Sequence, residues 1–157
     1  MAYQEQDIKR FTEGLKPSHN YDAWRVPIKQ TLHELSWGQS LDYLLTYGIL
    51  APSAHNKQGW HVTVDEKNHV VTVLPKKDDI GTASDNKGRQ TYIGVGCFLT
   101  NFERALIAYG ITYLQEHITT ESKHHGVSLT IPDISSAILQ DPNILQTMKE
   151  RRAYRGD

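Results

Sequence analysis

The sequence predicts an α+β fold, and three features of its hydrophobic pattern support this prediction. Apolar residues recur at helical spacing before residue 50, over residues 89–109 and close to the C-terminal end. Two alternating strand patterns, over residues 60–64 and 69–74, lie between the first two of these regions, and two further strand patterns occupy residues 111–118 and 126–131. The order of helices, hairpin, helix, two strands and helix fits an α+β layer better than a regularly wound parallel sheet.

Three helical segments besides residues 89–109 follow from the spacing of apolar residues. The first covers residues 4–16, and Pro17 marks its end. In the second, Ser40 is predicted to cap the helix, which ends before Pro52 because a residue that precedes proline disfavours the helical region. A final helix is predicted over residues 143–152. The apolar faces consist of Ile8, Phe11 and Leu15 in the first helix, Leu41, Leu44, Leu45 and Ile49 in the second, and Ile144, Leu145 and Met148 in the last.

The middle of the chain is predicted to contain a β-hairpin and a long helix. Residues 65–68 (DEKN) join the two strands of the hairpin. The segment 89–109 is apolar almost all the way round its middle, which predicts a central, buried helix. Gly94 and Gly96 within this helix cost about 1 kcal/mol each relative to alanine. We interpret them as allowing the close approach of another backbone or of a flat ligand.

Composition and charge restrict the class of protein. The 157 residues are the size of one domain, and the net charge of −1 offers no general attraction for nucleic acid or anionic lipid. A single cysteine, Cys97, excludes an internal disulfide and a metal site built from cysteines. No apolar run resembles a signal peptide or reaches the length of a membrane span. A cytoplasmic location is therefore the expectation.

The corner between the second helix and the hairpin, APSAHNKQGW at residues 51–60, is rich in small and polar groups. Pro52, Ser53, Ala54 and Asn56 offer backbone N–H groups, a hydroxyl and a carboxamide, which suit the edge of a flat, polar heterocycle. The alternative is a turn in which Ser53 and Asn56 satisfy their own backbone.

A second candidate site is the basic segment KERRAYR at residues 149–155. Arg151 and Arg155 are four residues apart, so they would share one face of a helix and could present bidentate donors to a phosphate. The alternatives are a solvated tail, with its cations near a helix C-terminus, or a contact with an acidic partner.

Metal sites and nucleophilic catalysis find little support in the sequence. Among the eight histidines, His117, His124 and His125 could approach one another across a hairpin, but they lack a recognised zinc-ligand arrangement. Phosphate-binding loops and nucleophile motifs are absent, and Cys97 is predicted to lie in the core. We therefore assign no catalytic side chain and no metal ligand.

Taken together, these segments resemble the FMN-dependent nitroreductase family. LAPSAHNKQGW at residues 50–60 is similar to its A-P-S-x-x-N-x-Q-P-W motif, and residues 88–111 resemble its central helix. RRAYRGD at residues 151–157 is similar to the R-R-S-x-R signature that opens a lobe of these enzymes. The order of the motifs is closest to the first lobe of the fused, two-lobe branch. Residues 1–157 would then form a single nitroreductase-like domain, truncated relative to that branch, with residues 151–157 resembling the start of a second lobe.

The resemblance implies an antiparallel-rich sheet packed around a central buried helix, and a site for FMN. Pro52, Ser53, Ala54 and Asn56 would lie along the isoalloxazine side and be contributed across an interface. Gln58 and Trp60 would brace the corner, and Arg151 and Arg155 would hold the phosphate. Gly59 replaces the proline of the first motif, and Ala153 replaces the serine of the arginine motif. These departures loosen the corner and remove one hydroxyl from the phosphate or ribityl contacts.

The function that this resemblance implies is an oxidoreductase that works as a homodimer or with a complementary second lobe. NAD(P)H would donate electrons, and a nitroaromatic, a quinone or a similar small molecule would accept them. The alternative is a flavin-binding or flavin-sequestering protein of the same fold with little turnover. A third possibility is a non-flavin interaction domain whose arginines contact an acidic partner.

Overall fold

A computed structural model describes residues 2–3 and 22–151 of the chain. The first predicted helix, over residues 4–16, lies outside the described residues, as do residues 152–157. None of the helices in the described part is long and apolar enough to cross a membrane. The elements are β1 (Ala2–Tyr3), α1 (Asp22–Arg25), α2 (Trp37–Ile49), β2 (Trp60–Asp65), β3 (Val70–Pro75), α3 (Arg89–Ala108), β4 (Leu114–Thr119), β5 (His125–Thr130) and α4 (Pro142–Glu150).

The strands form one antiparallel sheet in the order β1-β2-β3-β5-β4. The predicted hairpin is confirmed, because Val62 pairs with Val73 and Val64 with Val71. Alternate side chains of a strand point to the same face, so one face of the sheet is buried. This face carries Trp60, Val62, Val64, Val71, Val73, Val127 and Leu129. Helix α3 packs against β2 and β3, and against α2 and α4, which confirms the α+β prediction.

Helix α2 begins four residues earlier than the sequence analysis predicts. Its cap is Ser36, whose Oγ accepts a hydrogen bond from the Gln39 N–H (3.2 Å), while the Gln39 side chain accepts from the Ser36 N–H (2.9 Å). This reciprocal pair is a capping box, with the S-x-x-Q spacing that typically forms one. The prediction that Ser40 caps the helix is wrong, because Ser40 lies inside α2 and is fully buried.

Helix α3 spans Arg89–Ala108, close to the predicted bounds, but it is not buried on all sides in the described part of the chain. One face packs against the sheet and α2, with Phe98 and Phe102 at its centre. Along the opposite face runs a stripe in which the side chains of Ile93 and Ile107 are 55% and 51% exposed. Residues 93, 96, 97, 100, 104 and 107 share this face because they follow the helical period, and we call it the α3 stripe.

Candidate functional site

The corner after α2 folds into a tight loop that is held by its own serine. A short 3₁₀ turn covers Ala54–Asn56, and the Asn56 N–H donates to the Ser53 carbonyl oxygen (3.1 Å). The Ser53 Oγ accepts a hydrogen bond from the Gln58 N–H (3.0 Å). The alternative reading of the corner as a self-satisfied turn is thus correct for Ser53. The hydroxyl proton of Ser53 is not used in that bond, so it can still be donated to a ligand.

The same loop holds three residues other than glycine in left-handed backbone conformations. The φ angles of His55, Asn56 and Gln58 are 52°, 54° and 50°. A residue with a side chain costs about 1–2 kcal/mol in this region of φ and ψ. Such strain tends to cluster at ligand sites and persists only where the surrounding structure imposes it. The side chains of His55 and Asn56 are exposed here and add little packing energy that would offset it.

A small inner cleft, with room for about one water molecule, lies on one side of the corner. It is formed where the corner meets the loop before α3 and the first turns of that helix. Its lining residues, which define the inner cleft below, are Ser53, Ala54, Lys57, Gly59, Asp79, Asp85, Gln90, Thr91 and Gly94. The sequence analysis selected only Ser53 and Ala54 as site residues from this set.

Asp85 closes the N-terminal end of α3 from inside the cleft. Its carboxylate accepts hydrogen bonds from the backbone N–H of Gln90 (3.1 Å) and of Thr91 (2.8 Å), and from the Thr91 hydroxyl (2.9 Å). Desolvation opposes ionisation of this carboxyl, but the donors of Thr91 and Gln90 outweigh it and lower the pKa of Asp85. Asp85 therefore supplies the negative charge that a helix N-terminus favours.

The structure explains the glycine at position 59, where the nitroreductase motif has a proline. A Cβ atom at this position would lie 3.2 Å from the Asp79 Oδ2 and 3.2 Å from the Thr91 Cγ2. The Gly59 carbonyl oxygen also accepts a hydrogen bond from the Lys76 N–H (2.9 Å), which ties the corner to the loop that carries Asp79. The glycine thus does not loosen the corner in the way that the sequence analysis expected, because it allows Asp79 to pack closely.

An outer groove of about 360 Å³ lies on the other side of the corner. Arg151 and Pro52 both line it, and one Arg151 Nη donates a hydrogen bond to the Leu50 carbonyl oxygen (2.6 Å) at the end of α2. The remaining lining residues come from the α3 stripe and its margin. The residues that define the outer groove are Pro52, Ile93, Gly96, Cys97, Thr100, Asn101 and Arg151.

The structure thus brings most of the predicted site residues to one corner of a single chain. Pro52 and Arg151 share the outer groove, Ser53 and Ala54 line the inner cleft, and Asn56 and Gln58 lie in the strained loop between them. Arg155 lies outside the described residues. The corner and Arg151 therefore meet within one protomer, whereas the sequence analysis expected them to meet across an interface.

Two aromatic residues support the corner from below. Trp60 follows the loop directly and is 5% exposed, and its ring lies 5.1 Å from that of Phe98 in α3. Gly94 faces the same place, since a Cβ atom there would lie 3.7 Å from the Ser53 Cβ and 4.0 Å from Trp60. The rigid pair of rings therefore fixes the height of the corner above α3.

The structure also bears on whether the histidines could hold a metal ion. Within residues 22–151, no group of three histidine, cysteine, aspartate or glutamate side chains is arranged to hold a metal ion. His125 pairs with a hydroxyl instead, with its Nδ1 3.1 Å from the Thr119 Oγ1 across the β4–β5 hairpin.

Comparison with known proteins finds a partial similarity. No family model matches the chain. A segment of 62 residues, 40% of the chain, is 37% identical to the protein named "Putative NAD(P)H nitroreductase acg" in two strains of Mycobacterium tuberculosis. The matching segment covers 18% of that relative, so the chain corresponds to a small part of its length. Part of this chain is therefore similar to a protein that carries a nitroreductase name.

Proposed function

We propose that this chain forms the FMN-binding part of a nitroreductase-type oxidoreductase that uses NAD(P)H as electron donor. Bound FMN would supply the redox chemistry, taking a hydride from NAD(P)H and passing electrons to a nitroaromatic, quinone or similar acceptor. The chain itself would bind and orient the cofactor. This agrees with a corner that offers hydrogen-bonding groups and no assigned catalytic side chain.

The observation that carries the proposal is the strained corner beside the outer groove. His55, Asn56 and Gln58 all adopt left-handed backbone conformations in the loop that follows Pro52, a residue of this groove. At about 360 Å³ the groove lies within the range of about 300–1,000 Å³ that is usual for small-molecule sites, whereas the inner cleft has room for about one water molecule. A flat ligand with a charged end would therefore lie in the outer groove.

The chemistry of the donors indicates where each end of FMN would lie. Arg151 places a guanidinium group in the outer groove, and such groups match the geometry of a phosphate. The flat ring would lie further along the same groove, beside Pro52 and Gly96. Arg155, four residues further on, would add a second guanidinium group to the phosphate end.

A second copy of the chain is the partner that we propose for the exposed side of the site. The α3 stripe carries two exposed isoleucines, and a Cβ atom on Gly96 would meet nothing within 4 Å. Small residues in the middle of an apolar stripe allow a second helix to approach closely, and an exposed apolar patch often marks an interface. Because the stripe also lines the outer groove, a partner there would cover the cofactor.

The purified chain provides the first test. We expect a yellow protein whose absorbance between 300 and 550 nm is that of FMN, or uptake of added FMN by a colourless one. Bleaching by NADPH or NADH would support the oxidoreductase, whereas bound flavin that neither nucleotide reduces would favour the flavin-sequestering alternative. A colourless sample that takes up no FMN would contradict both and leave the interaction domain.

Substitution of the two arginines tests whether they bind the phosphate of FMN. Arg151→Ala with Arg155→Ala should weaken FMN binding at least tenfold and leave riboflavin binding unchanged, because riboflavin lacks the phosphate. Arg151→Lys alone should cause a smaller loss, since lysine keeps the charge without the bidentate geometry. The matched control is Lys67→Ala with Lys123→Ala, which removes the same charge from exposed positions that lie outside the α3 stripe and line neither cavity. Equal losses in both double variants would contradict a phosphate site at Arg151.

The partner is tested by measuring molar mass in solution. Light scattering after size-exclusion chromatography should give the mass of a dimer for the wild-type chain, and Ile93→Glu with Ile107→Glu should give that of a monomer. A wild-type monomer at all concentrations would contradict the second copy as the partner of the α3 stripe.

A further inference from the structure

The α3 stripe is complementary in shape to a second copy of itself. Ile93 and Ile107 lie seven residues on either side of Thr100, about two helical turns away, and both are exposed by about half. Four residues before Thr100, a Cβ atom on Gly96 would meet nothing within 4 Å, whereas Arg104, four residues after it, has a long and exposed side chain. A two-fold axis at Thr100 would therefore join the isoleucines and fill the open space at Gly96.

The direction of the second helix follows from the same residues. In a two-fold interface, residue i of one copy contacts residue j of the other, and the reverse contact also forms. If the two α3 helices run antiparallel about Thr100, Ile93 of each copy faces Ile107 of the partner subunit, and Gly96 faces Arg104 of the partner subunit. A parallel pair would place two arginines side by side and leave the space at Gly96 empty. Antiparallel helices also align their dipoles favourably.

The antiparallel pair brings a second positive charge to the outer groove. Gly96 and Arg151 line the same groove, so an arginine that enters over Gly96 faces Arg151 across it. Among the described residues that line this groove, Arg151 alone is charged. Two guanidinium groups in one groove repel each other unless an anion lies between them. A phosphate monoester suits this position, because it accepts bidentate, charge-assisted hydrogen bonds from arginine.

We propose that Arg151 and Arg104 of the partner subunit hold one phosphate monoester between them, with the flavin ring on the side of Pro52. This inference rests on the proposed function, and it adds a residue that the second copy supplies and a link between the cofactor and assembly. By thermodynamic linkage, the phosphate strengthens the dimer by the same factor by which dimerisation strengthens phosphate binding. FMN should therefore strengthen the dimer more than riboflavin, which lacks the phosphate.

Sedimentation equilibrium of the full chain tests this link. The dissociation constant of the dimer is measured with saturating FMN, with saturating riboflavin and with inorganic phosphate. We expect FMN to strengthen the dimer about tenfold more than riboflavin does, because the contacts of two arginines depend on the phosphate. Equal effects of the two flavins would overturn the proposal. If neither flavin binds while inorganic phosphate still strengthens the dimer, the proposed function is wrong and the pair of arginines stands as an anion site.

Variants assign the effect to the arginine of the second copy. Arg104→Ala should abolish the difference between FMN and riboflavin, and it should still dimerise through the isoleucines. Arg104→Lys should keep part of the difference, since lysine retains the charge without the bidentate geometry. Lys67→Ala is the control, because it removes a positive charge from an exposed position outside the α3 stripe and the groove. An undiminished difference in Arg104→Ala would overturn the role of this arginine.

Cysteine cross-linking tests the antiparallel arrangement independently of any ligand. Cys97 is the single cysteine of the chain, so Cys97→Ser provides a background without thiols. In this background, Thr100→Cys places one thiol of each copy at the axis, within reach of a disulfide bond under mild oxidation. Ile107→Cys should give no cross-linked dimer, because its two thiols would lie about 21 Å apart along the helices. Cross-linking of Ile107→Cys, or none of Thr100→Cys, would overturn the arrangement.

Discussion

The contact between α2 and α3 depends on a glycine, and its replacement by alanine should destabilise the fold. A Cβ atom on Gly48 would lie 2.7 Å from Cε2 and 2.8 Å from Cζ of Phe98. The ring cannot move aside easily, because Phe98 is 1% exposed and lies between Trp60 and Phe102. Overpacking of this kind costs about 1–3 kcal/mol. The better helix propensity of alanine returns about 1 kcal/mol at most, so the middle of that range leaves a net loss of about 1 kcal/mol.

Urea unfolding followed by circular dichroism measures this loss. For a chain of this size, a loss of about 1 kcal/mol lowers Tm by about 2–4 °C. Gly94→Ala is the matched control, because it places a methyl group within α3 at ordinary contact distances, 3.7 Å from the Ser53 Cβ and 4.0 Å from Trp60. That variant should raise the free energy of unfolding by up to about 1 kcal/mol. If Gly48→Ala proved as stable as the wild type, the close packing of Phe98 against α2 would be wrong.

Three further predictions concern polar groups that join distant segments. The folded state favours the ionised form of Asp85. Its contribution to the free energy of unfolding is therefore fully present above the ordinary aspartate pKa of about 3.9, and it is lost as the pH falls through the lower pKa that Asp85 has in the folded state. Asp85→Asn should therefore flatten the fall in unfolding free energy between pH 5 and pH 3; an unchanged slope would exclude this carboxylate as its source. Trp37→Phe removes an indole N–H that donates to the carbonyls of Ile131 and Pro132, and should cost about 1 kcal/mol in urea unfolding. Tyr109→Phe leaves the Lys29 carbonyl oxygen without its phenol donor (2.6 Å) and should cost about 1–2 kcal/mol in the same assay. If either the Trp37 or the Tyr109 variant were as stable as the wild type, water would have replaced the lost hydrogen bond.

The helices and strands could be predicted because their signals are local. The alternation of Val62 and Val64 with their neighbours indicates a strand with one buried face, and the structure pairs both residues with valines of β3. The start of α2 was misplaced although its signal is also local, since the S-x-x-Q spacing at Ser36 and Gln39 marks a capping box. Ser40 was predicted as the cap only because it precedes the apolar run.

The candidate site was only partly predictable. Pro52, Ser53 and Arg151 could be selected by chemical type, and the structure places all three around one corner. Asp79 and Asp85 lie in a polar loop whose composition resembles that of any surface segment. Asp79 reaches the cleft because the bond from the Lys76 N–H to the Gly59 carbonyl oxygen joins two separate segments of the chain. Asp85 binds Thr91 only six positions further on, so its contact is local.

The sequence by itself determined the α+β class, the hairpin, the long helix and a corner rich in small polar groups, because each depends on residues within a few positions of one another. Only the tertiary structure decided that Arg151 meets the corner within the same chain, and that one side of α3 stays uncovered by the residues that the structure describes. These features arise from packing between elements that are distant in sequence. The energy of such contacts depends on distances that no local pattern records.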